Sequence, residues 1–242
     1  MAEQSLSEKW DAKAGEWTTW ARSPTHDVFF SELNWPAFRE LLPPPGTATL
    51  DLGCGEGRVG RELASAGHRL SGADSSPALI AAAERAGGYE RLVCADAAEL
   101  PFADASFDLA VAFMSLQDME RPADAIGELA RVLRPGGCAA IAIVHPFNRS
   151  PEGLEDYFGE RHRTTAHERD GLPIVFEETE RPLVAYTGPL ADAGFVIEQL
   201  REPQAVGCEP PDPLAPATRR PYFLHMRCRL DRATGPLPSQ LR

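Results

Sequence analysis

A short apolar run, residues 47–52, leads directly into the glycine-rich segment 53–57, and this junction constrains the fold more than any other feature. The segment reads Gly-Cys-Gly-Glu-Gly, and a helical pattern follows over 59–66. Glycine lets a backbone adopt positive φ values and approach a ligand closely. A strand, a glycine turn and a helix in this order are typical of nucleotide-binding α/β folds. We therefore expect a ligand at this turn.

The same alternation of strands and helices continues along the chain. Further strands are predicted at 68–73, 91–95, 107–113 and 138–144, and further helices at 77–86 and 122–133. Ser76 is suited to cap the helix 77–86, with Pro77 at its first position. A helix at 182–193 and strands at 195–201 and 221–230 complete the pattern. Such alternation predicts a largely parallel sheet covered on both faces by helices.

Two segments depart from this alternation. Residues 1–45 contain all four tryptophans, and a helix is predicted over 8–20 with Ser7 in front of it. We expect this aromatic segment to cap the domain: either Trp17 and Trp20 bury the helix against it, or Trp10 closes over a ligand. Residues 146–181 are polar and lack a regular pattern, which predicts an insertion that caps the substrate. Residues 231–242 are predicted to be a C-terminal tail.

Composition limits the classes of function. The formal net charge is −12, so the chain has no long-range attraction to a phosphate backbone, and we expect no nucleic-acid partner. No apolar run is long enough for a membrane span, and the N-terminus lacks the apolar stretch of a secretory signal. The five cysteines are dispersed, which predicts reduced thiols, no metal site and a cytoplasmic location.

Three acids narrow the choice of ligand. Residues 55–60 satisfy the dinucleotide pattern GxGxxG, so a nicotinamide-dependent oxidoreductase is one alternative. Asp51, at the end of the first strand, suits an ammonium group and would repel a pyrophosphate. Asp74 ends the second strand and suits ribose hydroxyls, although an acid at a helix N-terminus is the alternative for it. Asp96 follows the third strand and suits the exocyclic amine of adenine, or it is a simple cap.

The segments LDLGCGEGR, GADSS, CADAAELPFADASFDLAV and LARVLRPGG together resemble the class I S-adenosylmethionine-dependent methyltransferases, over roughly residues 47–145. The resemblance implies a doubly wound, seven-stranded, mostly parallel α/β sheet whose last strand is antiparallel, with a helical N-terminal cap and an insertion after strand five. Residues 46–230 would then be a Rossmann-like methyltransferase domain that uses S-adenosylmethionine, releases S-adenosylhomocysteine and needs no metal.

The resemblance, taken with the three acids, gives a set of expected cofactor-binding residues. They lie at the glycine turn, at the ends of strands two, three and four, and in the N-terminal helix: Asp51, Gly53, Cys54, Gly55, Gly57, Asp74, Ser75, Asp96, Ala97, Phe113, Met114 and Trp10. Relatives often carry a histidine where this chain has Asp118, so we assign no catalytic role to Asp118.

The acceptor side is less constrained. His145 follows strand five directly and is the candidate general base, while a histidine that bonds the backbone and fixes its loop is an equal alternative. Arg161, Arg163 and Arg169 either bind an anionic substrate or lie in an exposed loop of mixed charge. The predicted function is methyl transfer to an O, N or C atom of a small-molecule acceptor. An S-adenosylmethionine-binding protein with a non-methylating reaction is the second alternative.

Overall fold

The central sheet consists of seven strands: β1 (Thr49–Leu52), β2 (Leu70–Asp74), β3 (Arg91–Cys94), β4 (Phe107–Phe113), β5 (Leu133–Val144), β8 (Phe195–Arg201) and β9 (Phe223–Leu230). Their order in this computed structural model, which describes residues 4–23, 25–169 and 171–231, is β3-β2-β1-β4-β5-β9-β8. The first five strands are parallel, and β9 is antiparallel to both of its neighbours. The predicted fold class is confirmed.

Four helices cover the two faces of this sheet: α3 (Arg58–Ser65), α4 (Pro77–Ala86), α5 (Pro122–Val132) and α7 (Val184–Asp192). Alternate residues of β4 point to opposite faces. Accordingly, Ala110 and Ala112 belong to one buried cluster with residues of α5 and α7, whereas Leu109 and Val111 belong to another with residues of α3. The Ser76 hydroxyl accepts a hydrogen bond from the amide of Leu79, which confirms the predicted cap of α4.

The N-terminal segment forms more structure than the sequence predicts. Helix α1 (Leu6–Arg22) begins earlier than expected, because Ser5, and not Ser7, caps it in a reciprocal capping box with Glu8. A π-helical turn (Phe29–Asn34) and helix α2 (Trp35–Arg39) follow. Phe38 is fully buried, and its ring lies 5.0 Å from that of Phe113 on the sheet. The second half of the segment is therefore part of the core, and α1 alone lies over the domain.

The insertion after β5 forms regular structure although its sequence has no regular pattern. It contains the short helix α6 (Pro151–Glu155) and a separate hairpin of β6 (Arg161–Arg169) and β7 (Leu172–Glu180). The first five residues of β7 are apolar and the last four are polar, and Ile174 is buried. Polar cross-strand pairs hold the two strands in register, as where Arg163 lies 3.6 Å from Glu178.

The predictions of a C-terminal tail, of no membrane span and of no metal site can be compared only with the residues that the structure describes. The predicted tail 231–242 lies outside the described residues except for Asp231. Among the helices that are described, none has the length and apolar character needed to cross a bilayer. All five cysteines are free thiols, and within the described ranges no group of three His, Cys, Asp or Glu side chains is arranged to hold a metal ion.

Candidate cofactor and acceptor site

A cavity of about 890 Å³ lies where the glycine turn, the ends of β2 and β4, helix α1 and the hairpin meet. Ligands of open α/β sheets bind beyond the carboxyl ends of the strands, and pockets for small ligands have volumes of roughly 300–1,000 Å³. This cavity is therefore in the expected place and large enough for a cofactor together with a small acceptor. All twelve residues predicted to bind the cofactor line it, except Gly57.

The glycine turn needs its glycines for backbone reasons. Gly53, Gly55 and Gly57 have φ values of +69°, +54° and +87°, in the region that other residues rarely adopt. A Cβ atom on Gly53 would lie only 2.5 Å from the Cβ of Ser115. Gly57 is the N-cap of α3, so it shapes the turn from outside the cavity. The turn thus brings backbone amides to the cavity wall.

Glu56, between two of these glycines, anchors the turn, although no sequence motif marks it. Its side chain is buried, and its carboxylate accepts hydrogen bonds from Arg22 Nε at 2.6 Å and Arg61 Nη2 at 2.8 Å. Arg22 is the last residue of α1. The C-terminal end of α1 is therefore tied directly to the glycine turn.

Asp51 lies on the cavity wall in a buried position. Its Oδ2 accepts a 2.6 Å hydrogen bond from the hydroxyl of Tyr89, and no ion pair to it occurs among the described residues. Burial raises the pKa of Asp51 to about 7, and the charge of Asp74 adds to the shift, while the Tyr89 hydrogen bond opposes it. A buried carboxyl without a cation partner is suited to a cationic ligand group.

Asp74 is held by the backbone on both oxygens. The amide of Gly55 donates to Oδ2 at 2.8 Å and the amide of Ser76 donates to Oδ1 at 2.9 Å. Burial raises the pKa of Asp74, and these backbone hydrogen bonds oppose the shift. A carboxylate can accept about four hydrogen bonds, so two amides leave capacity for ligand hydroxyls.

Asp96 lies at the mouth of the cavity. Its side chain is 57% exposed, and it accepts hydrogen bonds from Arg121 Nη2 at 2.7 Å and from the amide of Ala98. The pKa of Asp96 is lowered, with the amide of Ala98 as the largest contribution. Arg121, which no sequence motif marks, also lines the cavity. An adenine amine at Asp96 would share that carboxylate with Arg121.

The segment after β4 passes beside the glycine turn. Met114 has a φ of +55°, an uncommon conformation for a residue other than glycine. The Ser115 hydroxyl donates to the carbonyl of Leu52 at 2.8 Å, and the side-chain amide of Gln117 donates to the carbonyl of Met114 at 2.6 Å. Local backbone strain of this kind is found most often at ligand sites.

Helix α1 closes the cavity together with the hairpin. Trp10 lines the cavity and packs edge-on against Trp17, whose ring in turn contacts Phe176 of β7. Polar contacts fix the helix at both sides: Asp11 accepts a hydrogen bond from the Ser76 hydroxyl, and Lys9 and Lys13 both form ion pairs with Glu177 of β7. Since α1 contacts both the domain and the hairpin, it covers the cavity between them.

His145 does not reach this cavity. Its Nδ1 accepts from the amide of Phe147 at 3.1 Å, and its Nε2 lies 2.8 Å from Glu202. With both ring nitrogens occupied, the geometry matches the loop-fixing alternative and does not favour a general base. Burial lowers the pKa of His145, although Glu202 opposes the shift. His225 is buried against Asn34, as expected for a packing residue.

Two of the three hairpin arginines contact other groups of the protein, whereas Arg161 is exposed. Arg163 lies between Glu178 and Glu180, at 3.6 Å and 3.5 Å, and donates to the carbonyl of Asn148. Arg169 donates to the carbonyl of His26 at 2.7 Å. Both arginines therefore have structural partners in the protein.

Comparisons with known proteins agree with this geometry. Residues 50–141 match the family described as Methyltransferase domain. An O-methyltransferase of Aspergillus nomiae is 36% identical over 135 residues, which are 53% of this chain and 60% of that protein. The chain spans about half the length of the curated relatives it matches.

Solved structures extend the match beyond residue 141. An S-adenosylmethionine-dependent methyltransferase of Mesorhizobium loti is 27% identical, with a TM-score of 0.63 over 81% of this chain and 97% of that one. The chain contains a methyltransferase domain, matched over residues 50–141, and has the class I fold. The [4+2]-cyclase SpnF shares the fold of this methyltransferase domain, with a TM-score of 0.65, 19% identity, and coverage of 96% and 97%.

The cofactor of such methyltransferase domains is S-adenosylmethionine, as the sequence predicted. The chemical groups on the cavity wall fit this cofactor. A buried carboxyl without a cation partner matches an ammonium or sulfonium, and the remaining lone pairs of Asp74 match ribose hydroxyls. Two indole N–H groups, of Trp10 and Trp20, are buried beside the cavity without a hydrogen-bond partner in the described structure.

Proposed function

We propose that the chain transfers a methyl group from S-adenosylmethionine to an O, N or C atom of a small-molecule acceptor. The observation that carries this proposal is the joining of Asp51, Gly55 and Asp74 on one cavity wall at the ends of β1 and β2. A buried acid at position 51 argues against the pyrophosphate of a nicotinamide cofactor, since like charges repel.

The three acids 51, 74 and 96 would each bind a different part of the cofactor. Asp51 would accept hydrogen bonds from the ammonium group, and Asp74 would accept them from the ribose hydroxyls. Asp96 would accept a hydrogen bond from the adenine amine, and Ala97 would also lie at the adenine. When bound, the cofactor supplies a methyl group on a good leaving group. The protein then has to position the acceptor in line and exclude water, and α1 and the hairpin are built to do so.

The acceptor is proposed to be a small molecule because α1 and the hairpin cover the cavity above the cofactor wall and leave limited space there. The curated relative from Aspergillus nomiae is an O-methyltransferase, which favours oxygen as the acceptor atom. We also place the protein in the cytoplasm without a nucleic-acid partner. The free thiols and the net charge of −12 support that placement.

Binding alone does not distinguish methyl transfer from other chemistry, because a cyclase has the same fold. The test is therefore incubation with S-adenosylmethionine labelled in its methyl group and a panel of small hydroxyl, amine and carbon acceptors. We expect label in a product, with one S-adenosylhomocysteine formed per product molecule. The variant Gly55→Val is the control that should form neither. A product made without consumption of the cofactor would contradict methyl transfer.

A further inference from the structure

Three polar side chains of the cavity wall have no part in the proposed cofactor contacts. Gln117 and Asp118 lie on a 3-10 turn (Leu116–Asp118) just after β4, and Glu178 lies on β7. Strand β7 packs against this turn. The chain therefore brings an amide and two carboxyl groups together on the side of the cavity closed by the hairpin.

The side-chain oxygen of Gln117, Oε1, has no hydrogen-bond donor in the described structure. Its side chain is 5% exposed, and its Nε2 donates to the carbonyl of Met114 at 2.6 Å. This bond fixes the amide, because the reversed orientation would set two oxygens against each other. Gln117 Oε1 is then buried without a hydrogen-bond partner in the described structure. A buried acceptor without a partner is destabilising, and a hydrogen-bond donor on a ligand would remove that penalty.

The carboxyl of Asp118 also accepts fewer hydrogen bonds than it could. Its carboxyl accepts only a long 3.4 Å hydrogen bond from Gln117, and no ion pair to it is found in the described ranges. The guanidinium of Arg181 is directed instead to the carbonyls of Gln117 and Met119. Burial raises the pKa of Asp118 well above its ordinary value, the charge of Glu178 adds to this, and Arg181 opposes it. Glu178, in contrast, has Arg163 as a partner at 3.6 Å.

Aromatic rings form much of the cavity wall. Nine Trp, Phe and Tyr rings line it, from α1, the π-helical turn, β4, the hairpin and the start of β9: Trp10, Trp17, Trp20, Phe29, Phe30, Phe113, Phe176, Tyr222 and Phe223. Aromatic walls bind flat apolar bodies. The polar spot at Gln117 and Asp118 is therefore suited to a single hydroxyl on such a body.

We propose that Gln117 and Asp118 hold the nucleophilic hydroxyl of a small aromatic acceptor, and that Asp118 takes its proton. This inference rests on the proposed function. As the bond between the acceptor oxygen and the methyl carbon forms, the carbon–sulfur bond breaks with its electron pair remaining on sulfur. The proton passes to the ionised carboxylate of Asp118, and the raised pKa of this group makes that carboxylate the stronger base. Atoms and charges balance without a further reactant.

The test compares two probes that differ only in the hydroxyl hydrogen, 4-nitrophenol and 4-nitroanisole. Each is titrated calorimetrically into protein saturated with S-adenosylhomocysteine, at a pH where the phenol is neutral. We expect the wild type to prefer the phenol by at least about tenfold, because a site built for a hydroxyl rejects an analogue that lacks it. Asp118→Asn and Gln117→Leu should each reduce this preference severalfold. Asp124→Asn, an exposed acid outside the cavity, should keep it.

Three outcomes would overturn the inference: equal affinity of the wild type for both probes, no binding of either, or a preference that both variants retain. Binding of S-adenosylhomocysteine is measured first in every variant and reports on folding and on the cofactor site. If the wild type fails at that first step, the proposed function fails. If only the probe comparison fails, the assignment of Gln117 and Asp118 fails alone.

Discussion

The amide of Gly55 donates a 2.8 Å hydrogen bond to the carboxylate of Asp74, which joins the glycine turn to the end of β2. The other carboxylate oxygen accepts from Ser76, at the N-terminus of α4. One side chain thus organises the backbone of two neighbouring strand ends. A change at either end of the Gly55–Asp74 bond should disturb the same ligand site.

We expect Asp74→Ala and Gly55→Val each to reduce affinity for S-adenosylhomocysteine by about 50-fold or more, measured by calorimetry. The first removes a charged hydrogen-bond acceptor, and such groups contribute about 1.5–3 kcal/mol each. The second places a side chain where φ is +54°. Asp104→Asn, at an exposed acid far from the turn, should bind normally. Tight binding by both site variants would mean that the cofactor lies elsewhere.

Cofactor affinity should depend on pH through Asp51. Burial raises its pKa to about 7, so the carboxyl is largely protonated below that pH and ionised above it. A cationic ligand group prefers the ionised form, so affinity should rise as the pH increases from 6 to 8, by up to about tenfold per unit below 7. Calorimetry at several pH values checks this. Asp51→Asn should bind more weakly with a flat profile, and an unchanged slope in this variant would exclude Asp51 as the cause.

Tyr89→Phe should move that pH dependence toward higher pH. The Tyr89 hydroxyl donates to Asp51 and lowers its pKa, so removing it leaves the effect of burial unopposed. Gly60 allows this contact, because a Cβ there would collide with the Tyr89 ring and hydroxyl. The midpoint of the affinity profile is the measurement. A midpoint that stays in place, or moves lower, would show that the hydrogen bond does not control Asp51.

Docking of α1 should depend on Glu177. This carboxylate contacts Lys9, Lys13 and His162, and these contacts outweigh burial and hold its pKa at about 2. We expect Glu177→Gln to speed hydrogen exchange in α1 roughly fivefold at neutral pH, since such pairs contribute about 1 kcal/mol. Glu62→Gln, an exposed acid on α3, is the matched control.

The contribution of Glu177 to this docking has a predictable pH window. Because its folded pKa lies below the ordinary 4.5, the contribution is present above that pH and is lost as the pH falls toward 2. Exchange in α1 of the wild type should therefore approach that of Glu177→Gln in acid. Equal exchange rates in the two proteins at neutral pH would contradict a role of Glu177 in holding α1.

His145→Ala should lower stability without altering the pH dependence of turnover. The ring links the amide of Phe147 to Glu202, and loss of these hydrogen bonds should cost about 1–2 kcal/mol in the free energy of unfolding. Denaturant unfolding and a pH–rate profile provide the two measurements. Loss of one limb of the profile at unchanged stability would restore His145 as the base.

The parallel core was predictable because its signals are local. β4 and β8 have the predicted bounds, and Ser76 caps α4 as expected. The hairpin was missed because its strands are held by charged cross-strand pairs and not by a continuous apolar face. Its sequence does hold one signal, Asp170-Gly171, a dipeptide typical of tight hairpin turns.

The residues around the cofactor motifs were predictable only in part. Motif spacing located the acids 51, 74 and 96, since each ends or follows a strand. It could not foresee Tyr89 or Arg121, which reach Asp51 and Asp96 from other elements. Asp118 received no role because the sequence differs there from relatives. Its significance appears only when β7 closes over it, a contact between segments far apart in the chain.

Calorimetric titration of the wild-type chain shows whether this cavity binds the S-adenosylmethionine class of cofactor. Titration with S-adenosylhomocysteine and with NADH, each at neutral pH, separates the two cofactor classes. We predict one S-adenosylhomocysteine bound per chain and no measurable binding of NADH. Binding of NADH without binding of S-adenosylhomocysteine would contradict the assignment of this cavity to S-adenosylmethionine.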